Sequence, residues 1–503
     1  MNRKSLFFGN IIGGLLLLSS CTFTLKSTFY QFASFGEIPP LIDATNYYHA
    51  NLDEDAFTQF YQLNNGEYSR RYNLSSQGTN SVLVLPIDFP AYPASNLPGG
   101  SNFARTLIHN AFFGTEESSI WQSVASYYDQ SSYGKFHLSG EVGDWYRVTD
   151  EEILEKITAF EDGNSSYSKT ALTNDILRLA VANYLQGLTN QQEFVNQYDG
   201  DNNGIIDSVF LVYSHPIGNT SIARPIEKND SGSLFWAFTA HDVNNGNLNL
   251  KANGYAWASY YFLYPDYSLT KNLPDTHTFI HEMGHLLGLE DYYNTSLNGT
   301  FSPTGGMDMM DSSLGDHTAF SKMLLGWTNP YVITSDGLIT IRPFNASGDV
   351  ILFSPSFDNS IFNEYYLLEF YAPTGLNYYD ATMGSGSRLF TNYGLKLYHV
   401  NAEVTYRYKN DGVSIESASF RYNNSLTSAL AEQGTPVLYE LLAKSGREKL
   451  LHGQNASNED IYYLGDKYNG DFSVQTDRGQ ALNIGFEVTN FSRSGITVRF
   501  AFK

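Results

Sequence analysis

The run HEMGH at residues 281–285 constrains this chain more than any other feature of its sequence. Asp275 is a plausible N-cap residue for a helix that contains the run. On such a helix His281 and His285 lie one turn apart, so both imidazoles project from the same face. Two neutral imidazoles in this arrangement suit a tetrahedral Zn²⁺ ion. Glu282 lies beside them and is a candidate general base for a zinc-bound water.

The residues that follow extend this pattern. Gly288 allows the chain to turn sharply after the helix. Asp291 comes six residues after His285, where the chain could return with a third, oxygen ligand. An alternative interpretation is a core helix whose histidines bond to backbone carbonyls. Apolar neighbours such as Leu286 and Leu287 predict that the helix packs in a core, which agrees with both interpretations.

The single cysteine, Cys21, excludes an intramolecular disulfide and a zinc site built from cysteines. Two basic residues, an apolar run from Leu6 to Leu18 and the sequence Ser19-Ser20-Cys21 open the chain. This beginning resembles a bacterial lipoprotein signal, which implies cleavage before Cys21 and a lipid anchor on its thiol. A plain secretory signal or a short uncleaved anchor is the alternative.

The charge balance argues against one class of partner. The chain carries 30 Lys+Arg and 52 Asp+Glu, a formal net charge of −22. A field of this sign repels phosphate backbones, so we expect no nucleic-acid partner. Aromatic residues make up 15% of the chain, which is typical of a folded protein and not of a disordered one.

An acidic loop between residues 199 and 207 has the spacing of a calcium-binding loop. Oxygen ligands would come from Asp199, Asp201, Asn203, the carbonyl of Ile205, and Asp207. Alternating oxygen ligands around a glycine turn suit Ca²⁺, for which we expect a structural role. The usual bidentate glutamate at the end of the loop is missing, and a polar turn without metal is the alternative.

Taken together, these motifs resemble the immune inhibitor A family of bacterial zinc metallopeptidases, which is related to the metzincins. The helix segment has the form HExxHxxGxxD, and other parts of the chain resemble the family in the same order. These are Val82–Pro90, Ser132–Gly140, Asp199–Asp207, Gly306–Asp311, the stretch from His317 to Trp327, Glu364–Glu369 and Gly394–Val400. The resemblance covers about residues 80 to 402.

The resemblance implies that His281, His285 and Asp291 bind zinc and that Glu282 is catalytic. Many members have proline before the ligand aspartate, whereas this chain has Glu290, a rival carboxylate for the third position. We prefer Asp291 because metzincins place their third ligand at that spacing. Met310 would be the methionine of the Met-turn beneath the metal.

The implied fold is α+β, with a zincin-like catalytic domain followed by a β-rich, sandwich-like region. We expect a lipoprotein signal over 1–20, a stalk or pro-segment over 21–75, the catalytic domain over 76–332 and the β-rich domain over 333–503. His317 or a tyrosine is the expected oxyanion donor. The strand near Trp257–Phe262 is the expected edge for strand addition by a substrate.

The predicted function is a zinc endopeptidase that hydrolyses protein substrates at the extracellular face of a bacterial membrane, either lipid-anchored or released. Its only membrane contact would be the N-terminal anchor. The alternative function is a surface adhesin or capture lipoprotein that keeps the fold without turnover. The intact Glu282 favours the enzyme, because a binding scaffold needs no general base at that position.

Overall fold

The computed structural model describes most of the chain after residue 44. The described residues are 45–52, 74–163, 166–200, 202–217, 233–241, 252–264, 273–296, 298–382, 390–408, 412 and 415–503. The predicted signal, Cys21 and Asp201 lie outside these ranges. No helix in the described part of the chain is both long and apolar enough to span a membrane.

Helices and strands mix along the described chain. The helices are α1 (Gly100–Phe113), α2 (Val124–Ser131), α3 (Glu151–Glu161), α4 (Lys169–Gln186), α5 (Gln191–Gln197), α6 (His277–Leu286), α7 (Ala319–Leu324), α8 (Phe344–Ser347), α9 (Tyr378–Thr382), α10 (Ser428–Glu432) and α11 (Glu448–Leu451). The strands are β1 (Tyr47–His49), β2 (Gly78–Asp88), β3 (Phe136–Val142), β4 (Tyr146–Arg147), β5 (Ile206–Tyr213), β6 (Phe238–His241), β7 (Ala252–Ser259), β8 (Tyr331–Ile333), β9 (Gly337–Ile341), β10 (Val350–Phe353), β11 (Glu364–Tyr371), β12 (Gly394–Asn401), β13 (Val404–Tyr408), β14 (Ile415–Phe420), β15 (Tyr439–Leu441), β16 (Lys467–Tyr468), β17 (Ile484–Ser492) and β18 (Gly495–Phe502). The chain is thus a mixed α/β protein.

The first sheet has the strand order β3-β2-β5-β7-β6, and β4 also pairs with β2. Strands β3, β2, β5 and β7 run parallel, whereas β6 runs antiparallel to β7 at the edge. Helices cover both faces of this sheet, which explains why the sequences of β2 and β5 are almost continuously apolar. Residues such as Val84 and Phe210 pack with α1, α2 and α6, while Leu85 and Leu211 pack with α3 and α4.

This order contradicts the expected position of the substrate edge. Strand β7 is flanked by β5 and β6, and the chain after Ser259 turns into a 3₁₀ helix, Tyr260–Leu263. The predicted edge near Trp257–Phe262 is therefore wrong. The edge belongs to β6, whose four residues were too short a run to be recognised in the sequence.

The C-terminal half contains two larger sheets. One has the order β1-β8-β10-β11-β12-β15, and the other has the order β16-β17-β18-β9. Alternate residues of β11 and β12, such as Leu368 and Leu397, share one hydrophobic cluster with Phe486 and Phe500 of the second sheet. The opposite faces of β11 and β12 pack toward the helices of the first sheet through residues such as Leu367.

Part of the segment predicted to be a stalk or pro-segment is strand β1, at one edge of the sheet β1-β8-β10-β11-β12-β15. In β1, Tyr47 pairs with Ile333 and His49 pairs with Tyr331, in an antiparallel register. The rings of His49 and Tyr331 also stack, with centroids 4.7 Å apart. Residues 45–52 are thus folded onto the C-terminal half, and the boundary drawn at 75 stays a prediction.

Candidate metal centre

The helix α6 carries both histidines of the HEMGH run. It begins at His277, two residues after the predicted cap, and the carboxylate of Asp275 accepts a hydrogen bond from the His277 amide at 3.0 Å. Its apolar side, including Phe279 and Ile280, is fully buried in the core beside the first sheet. The core therefore anchors the helix, while the side chains of His281 and His285 stay partly exposed on its other side.

A turn at Gly288 brings the third residue back to the helix. Gly288 has φ +98°, a left-handed conformation that other residues rarely adopt. After this turn, Asp291 Oδ1 lies 3.1 Å from His281 Nε2 and 3.2 Å from His285 Nε2. Ligand atoms of these three residues all lie within 4.8 Å of one another.

This donor set fits a zinc ion. Ligands bound at about 2.0–2.2 Å around a tetrahedral ion lie roughly 3.3–3.6 Å apart, close to the separations of Asp291 from the two histidines. His281 Nδ1 lies 2.9 Å from the Met309 carbonyl, and His285 Nδ1 lies 2.8 Å from the Leu289 carbonyl. Carbonyls only accept, so each Nδ1 carries a proton, and in the neutral imidazoles each Nε2 would keep the lone pair that a metal ion requires.

The electrostatics of the three residues favour a positive charge at their centre. Burial alone would raise the pKa of Asp291, but the His285 and His281 imidazoles outweigh it and hold that pKa well below its usual range. Burial opposes protonation of His285, yet Asp291 and Glu282 raise its pKa to about 9. A bound divalent cation would supply the charge that these groups otherwise draw from a proton.

The side chain of Glu282 extends from α6 toward the edge strand β6. Its side chain is buried, with a residue exposure of 5%, and Oε2 accepts a hydrogen bond from Thr239 Oγ1 at 2.9 Å. Burial raises the pKa of Glu282, and the neighbouring His285 and His281 act in the opposite direction. Thr239 was not recognised in the sequence, because only strand pairing brings β6 beside the helix.

Met310 packs directly beneath α6. A Cβ atom added at Gly284 would lie 2.3 Å from the Met310 sulfur, so the glycine within HEMGH makes room for this side chain. The Met310 carbonyl also accepts a hydrogen bond from the Tyr292 amide at 2.9 Å, next to Asp291. These contacts place Met310 beneath the helix that carries the histidines, and its role as the methionine of a Met-turn stays a prediction.

His317 does not reach the metal centre. Its side chain is fully buried and its Nδ1 lies 3.0 Å from Asp308 Oδ1, among the rings of Tyr127 and Tyr128. The expectation that His317 is an oxyanion donor is therefore wrong. Tyr293 is the tyrosine that lies close to the site, with its ring centroid 6.2 Å from that of His281.

The acidic loop lies away from these residues, before β5. The Asp199 carboxylate accepts hydrogen bonds from two loop amides at 2.9 and 2.7 Å, and Asp207 Oδ2 accepts one at 2.8 Å. The Ile205 amide donates to Asn203 Oδ1 at 2.8 Å. These bonds stabilise the turn by themselves, and calcium binding stays a prediction.

A buried glutamate beside two histidines of one helix and a returning aspartate could hold a metal ion and place a general base next to it, as a metallopeptidase requires. Residues 72–322 match the family model described as immune inhibitor A peptidase M6, catalytic domain. The chain belongs to this family of metallopeptidases, and the resemblance inferred from the motifs is confirmed.

Two kinds of relative share this similarity. Immune inhibitor A of Bacillus thuringiensis subsp. alesti is 22% identical over 458 residues, which cover 81% of this chain and 64% of the relative. Pre-pro-metalloprotease PrtV of Vibrio cholerae serotype O1 (strain M66-2) is 24% identical over 329 residues, 57% of this chain and 34% of the relative. The chain thus matches less than two thirds of the length of either relative.

Proposed function

We propose that this protein is a zinc-dependent endopeptidase. The observation that carries the proposal is the convergence of His281, His285 and Asp291 beside a buried glutamate, Glu282, in a chain of a metallopeptidase family. His281, His285 and Asp291 would hold the ion. When bound, Zn²⁺ would polarise a peptide carbonyl and lower the pKa of a coordinated water toward ~7.

Glu282 is the general base in this proposal. The attacking water loses a proton to the Glu282 carboxylate as it adds to the peptide carbonyl, and Glu282 then passes that proton to the leaving amine. The hydrogen bond from Thr239 fixes the carboxylate while it is ionised. Tyr293, near His281, would donate a hydrogen bond to the oxyanion.

Strand β6 would align the substrate. It is the edge of the first sheet, and among the described residues β7 is its single strand partner. An extended peptide that adds to the outer edge of β6 would pass next to Thr239 and hence Glu282. Such main-chain pairing depends little on side chains and therefore suits protein substrates.

The remaining features complete the proposal. The catalytic part would adopt a zincin-like fold, the C-terminal sheets would form a sandwich-like domain, and the acidic loop would bind structural Ca²⁺. The N-terminus would attach the enzyme to the extracellular face of the membrane through Cys21, or be removed on release. A binding lipoprotein without turnover is less consistent with Glu282. Burying a carboxylate costs free energy, and a protein that only binds its partner has no use for a general base at this position.

A peptidase assay with a metal measurement tests the proposal. We expect the protein to cleave casein or a fluorogenic peptide, to lose activity with a chelator and to recover it with Zn²⁺. Glu282→Ala should lower kcat by roughly 10²–10⁴-fold while zinc content stays the same. Zinc-dependent cleavage that survives Glu282→Ala unchanged would contradict the mechanism.

A further inference from the structure

A second group of metal-ligating side chains lies in the C-terminal half. Glu364 on β11, His399 on β12 and Asp477 in the connection between β16 and β17 bring ligand atoms within 4.8 Å of one another. We call these three residues the sheet cluster, and His281, His285 and Asp291 the helix cluster. His399 Nε2 lies 3.0 Å from Glu364 Oε1, and both side chains are less than a tenth exposed.

Strand register explains why these polar groups meet. Glu364 is directly opposite Asn401, and His399 is directly opposite Glu440, so all four point to one face of the sheet. The same face supplies the hydrophobic cluster shared with the β16–β18 sheet. The sheet cluster therefore lies at the polar end of an otherwise apolar layer between two sheets.

The third residue of the sheet cluster, Asp477, lies on a turn that covers this polar end of the layer. Residues 475–481 form a narrow turn, with Gln475 bridged to Ala481 and Asp477 at its tip. The Asp477 amide donates to Glu364 Oε1 at 2.6 Å, and Asn401 Nδ2 donates to Asp477 Oδ2 at 2.8 Å. The turn thus presents its carboxylate to the buried histidine.

Two observations point to a ligand in the sheet cluster. Asn401 is 1% exposed and contacts Asp477, yet its Oδ1 acceptor has no hydrogen-bond partner among the residues that the structure describes. His399 Nδ1 faces Glu440 Oε1 at 3.8 Å, which leaves Nε2 directed at Glu364. Carboxylates thus lie beside both ring nitrogens, and Nε2 is the nitrogen that shares the cluster with Glu364 and Asp477.

The arginines near the sheet cluster form their ion pairs with carboxylates outside it. Among the described residues, no lysine or arginine forms an ion pair with Glu364 or Asp477. The nearby arginines pair with other carboxylates, Arg447 with Glu440 at 3.1 Å and Arg421 and Arg478 with Glu403. Two carboxylates therefore converge on one imidazole, beside a buried and unsatisfied amide oxygen.

We propose that Glu364, His399 and Asp477 form a second, structural Zn²⁺ site, in which the Asn401 amide donates a hydrogen bond to the Asp477 carboxylate. One imidazole nitrogen with carboxylate oxygens is a donor set that zinc accepts. The ion would fasten the 475–481 turn to the face of the C-terminal sheet. This site is independent of the peptidase activity proposed for the helix cluster.

Zinc stoichiometry in the full chain tests this proposal. After dialysis against Zn²⁺ and then against metal-free buffer, we expect about two zinc ions per wild-type chain by mass spectrometry. A double variant, His281→Ala with His285→Ala, should keep about one. Adding Asp477→Ala to that double variant should remove it, whereas Asp471→Ala, a carboxylate elsewhere in the same connection, should not.

A second variant guards against misfolding. His399→Phe retains a ring beside Tyr366 but offers no nitrogen, and it should also lose the second zinc while keeping the native circular dichroism spectrum. In the double variant, Zn²⁺ should raise the melting temperature by a few degrees, and Asp477→Ala should abolish the rise. A folded double variant without zinc, or zinc retained in both Asp477→Ala and His399→Phe, overturns the proposal, whatever the peptidase assay gives.

Discussion

The helix cluster and the sheet cluster use the same ligand types in different surroundings. In the helix cluster, His281 and His285 are 13% and 20% exposed at the side chain, and Asp291 is 30% exposed. In the sheet cluster, His399 and Glu364 are 8% and 5% exposed, between two sheets. The first group is therefore open on one side, whereas the second is closed except at the Asp477 turn.

This difference would distinguish the catalytic site proposed at the helix cluster from the structural site proposed at the sheet cluster. Beside the helix cluster, Glu282 is held by Thr239 of an edge strand, so a base and a place for a peptide adjoin the proposed metal. In the sheet cluster, Glu364 and His399 lie on strands β11 and β12, which are paired on both sides, and Asp477 comes from the turn that covers them. Ligand chemistry alone thus predicts a metal, while catalysis depends on access and a neighbouring base.

The largest expected effect concerns the third ligand of the helix cluster. Asp291→Ala should lower zinc affinity by more than about 1,000-fold, because changes in the outer shell alone cost 10–100-fold. Glu290→Ala is the matched control, since Glu290 is the exposed neighbouring carboxylate. Competition with a chromophoric chelator measures both affinities, and equal losses in the two variants would show that the ligand was misassigned.

The next effect concerns the link between the two clusters. Strands β11 and β12 carry Glu364 and His399 of the sheet cluster on one face. On the other face they carry an ion pair between Glu369 and Lys396, which are 1% and 4% exposed. Glu369 also accepts a hydrogen bond from the Ala319 amide at the start of α7. This buried pair joins the C-terminal sheet to the region around the Met-turn.

Lys396→Met should therefore destabilise the whole chain. Removing one partner leaves a buried carboxylate without its counter-charge, which costs about 3–5 kcal/mol in the free energy of unfolding. The exposed pair of Lys467 and Glu487, 3.7 Å apart, provides the control, and Lys467→Met should change stability by less than about 1 kcal/mol. Urea unfolding compares them, and similar values for both variants would argue against this link.

The sequence could predict that the residues of the helix cluster converge because their geometry is local, while their role as zinc ligands stays a prediction. His281, Glu282 and His285 are related by helical periodicity, and Gly288 determines where Asp291 returns. The apolar runs of β2 and β5 likewise predicted buried strands of the first sheet, since a strand that is buried on both faces has this pattern.

Contacts between distant segments could not be predicted in the same way. Thr239 reaches Glu282 only because β6 pairs with β7, and the error about the substrate edge has the same origin. The sheet cluster joins residues 35 and 113 positions apart, and local periodicity contains no information on such pairing. His317 was one of two alternatives for the oxyanion donor, because its motif position did not reveal that it bonds to Asp308 in the core.

The smallest expected effect tests whether the C-terminal half positions the helix cluster. Asn424 is 2% exposed and joins two segments, since its Nδ2 donates to the Tyr292 carbonyl at 2.9 Å and to the Tyr439 carbonyl of β15 at 2.8 Å. Asn424→Ala should lower zinc affinity by about 10-fold, because Tyr292 follows the proposed ligand Asp291. Asn423→Ala, a change at the exposed neighbour, should leave the affinity within about twofold. Unchanged affinity in Asn424→Ala, with stability lowered by the ~1–3 kcal/mol expected for unsatisfied buried groups, would show that β15 supports only the fold.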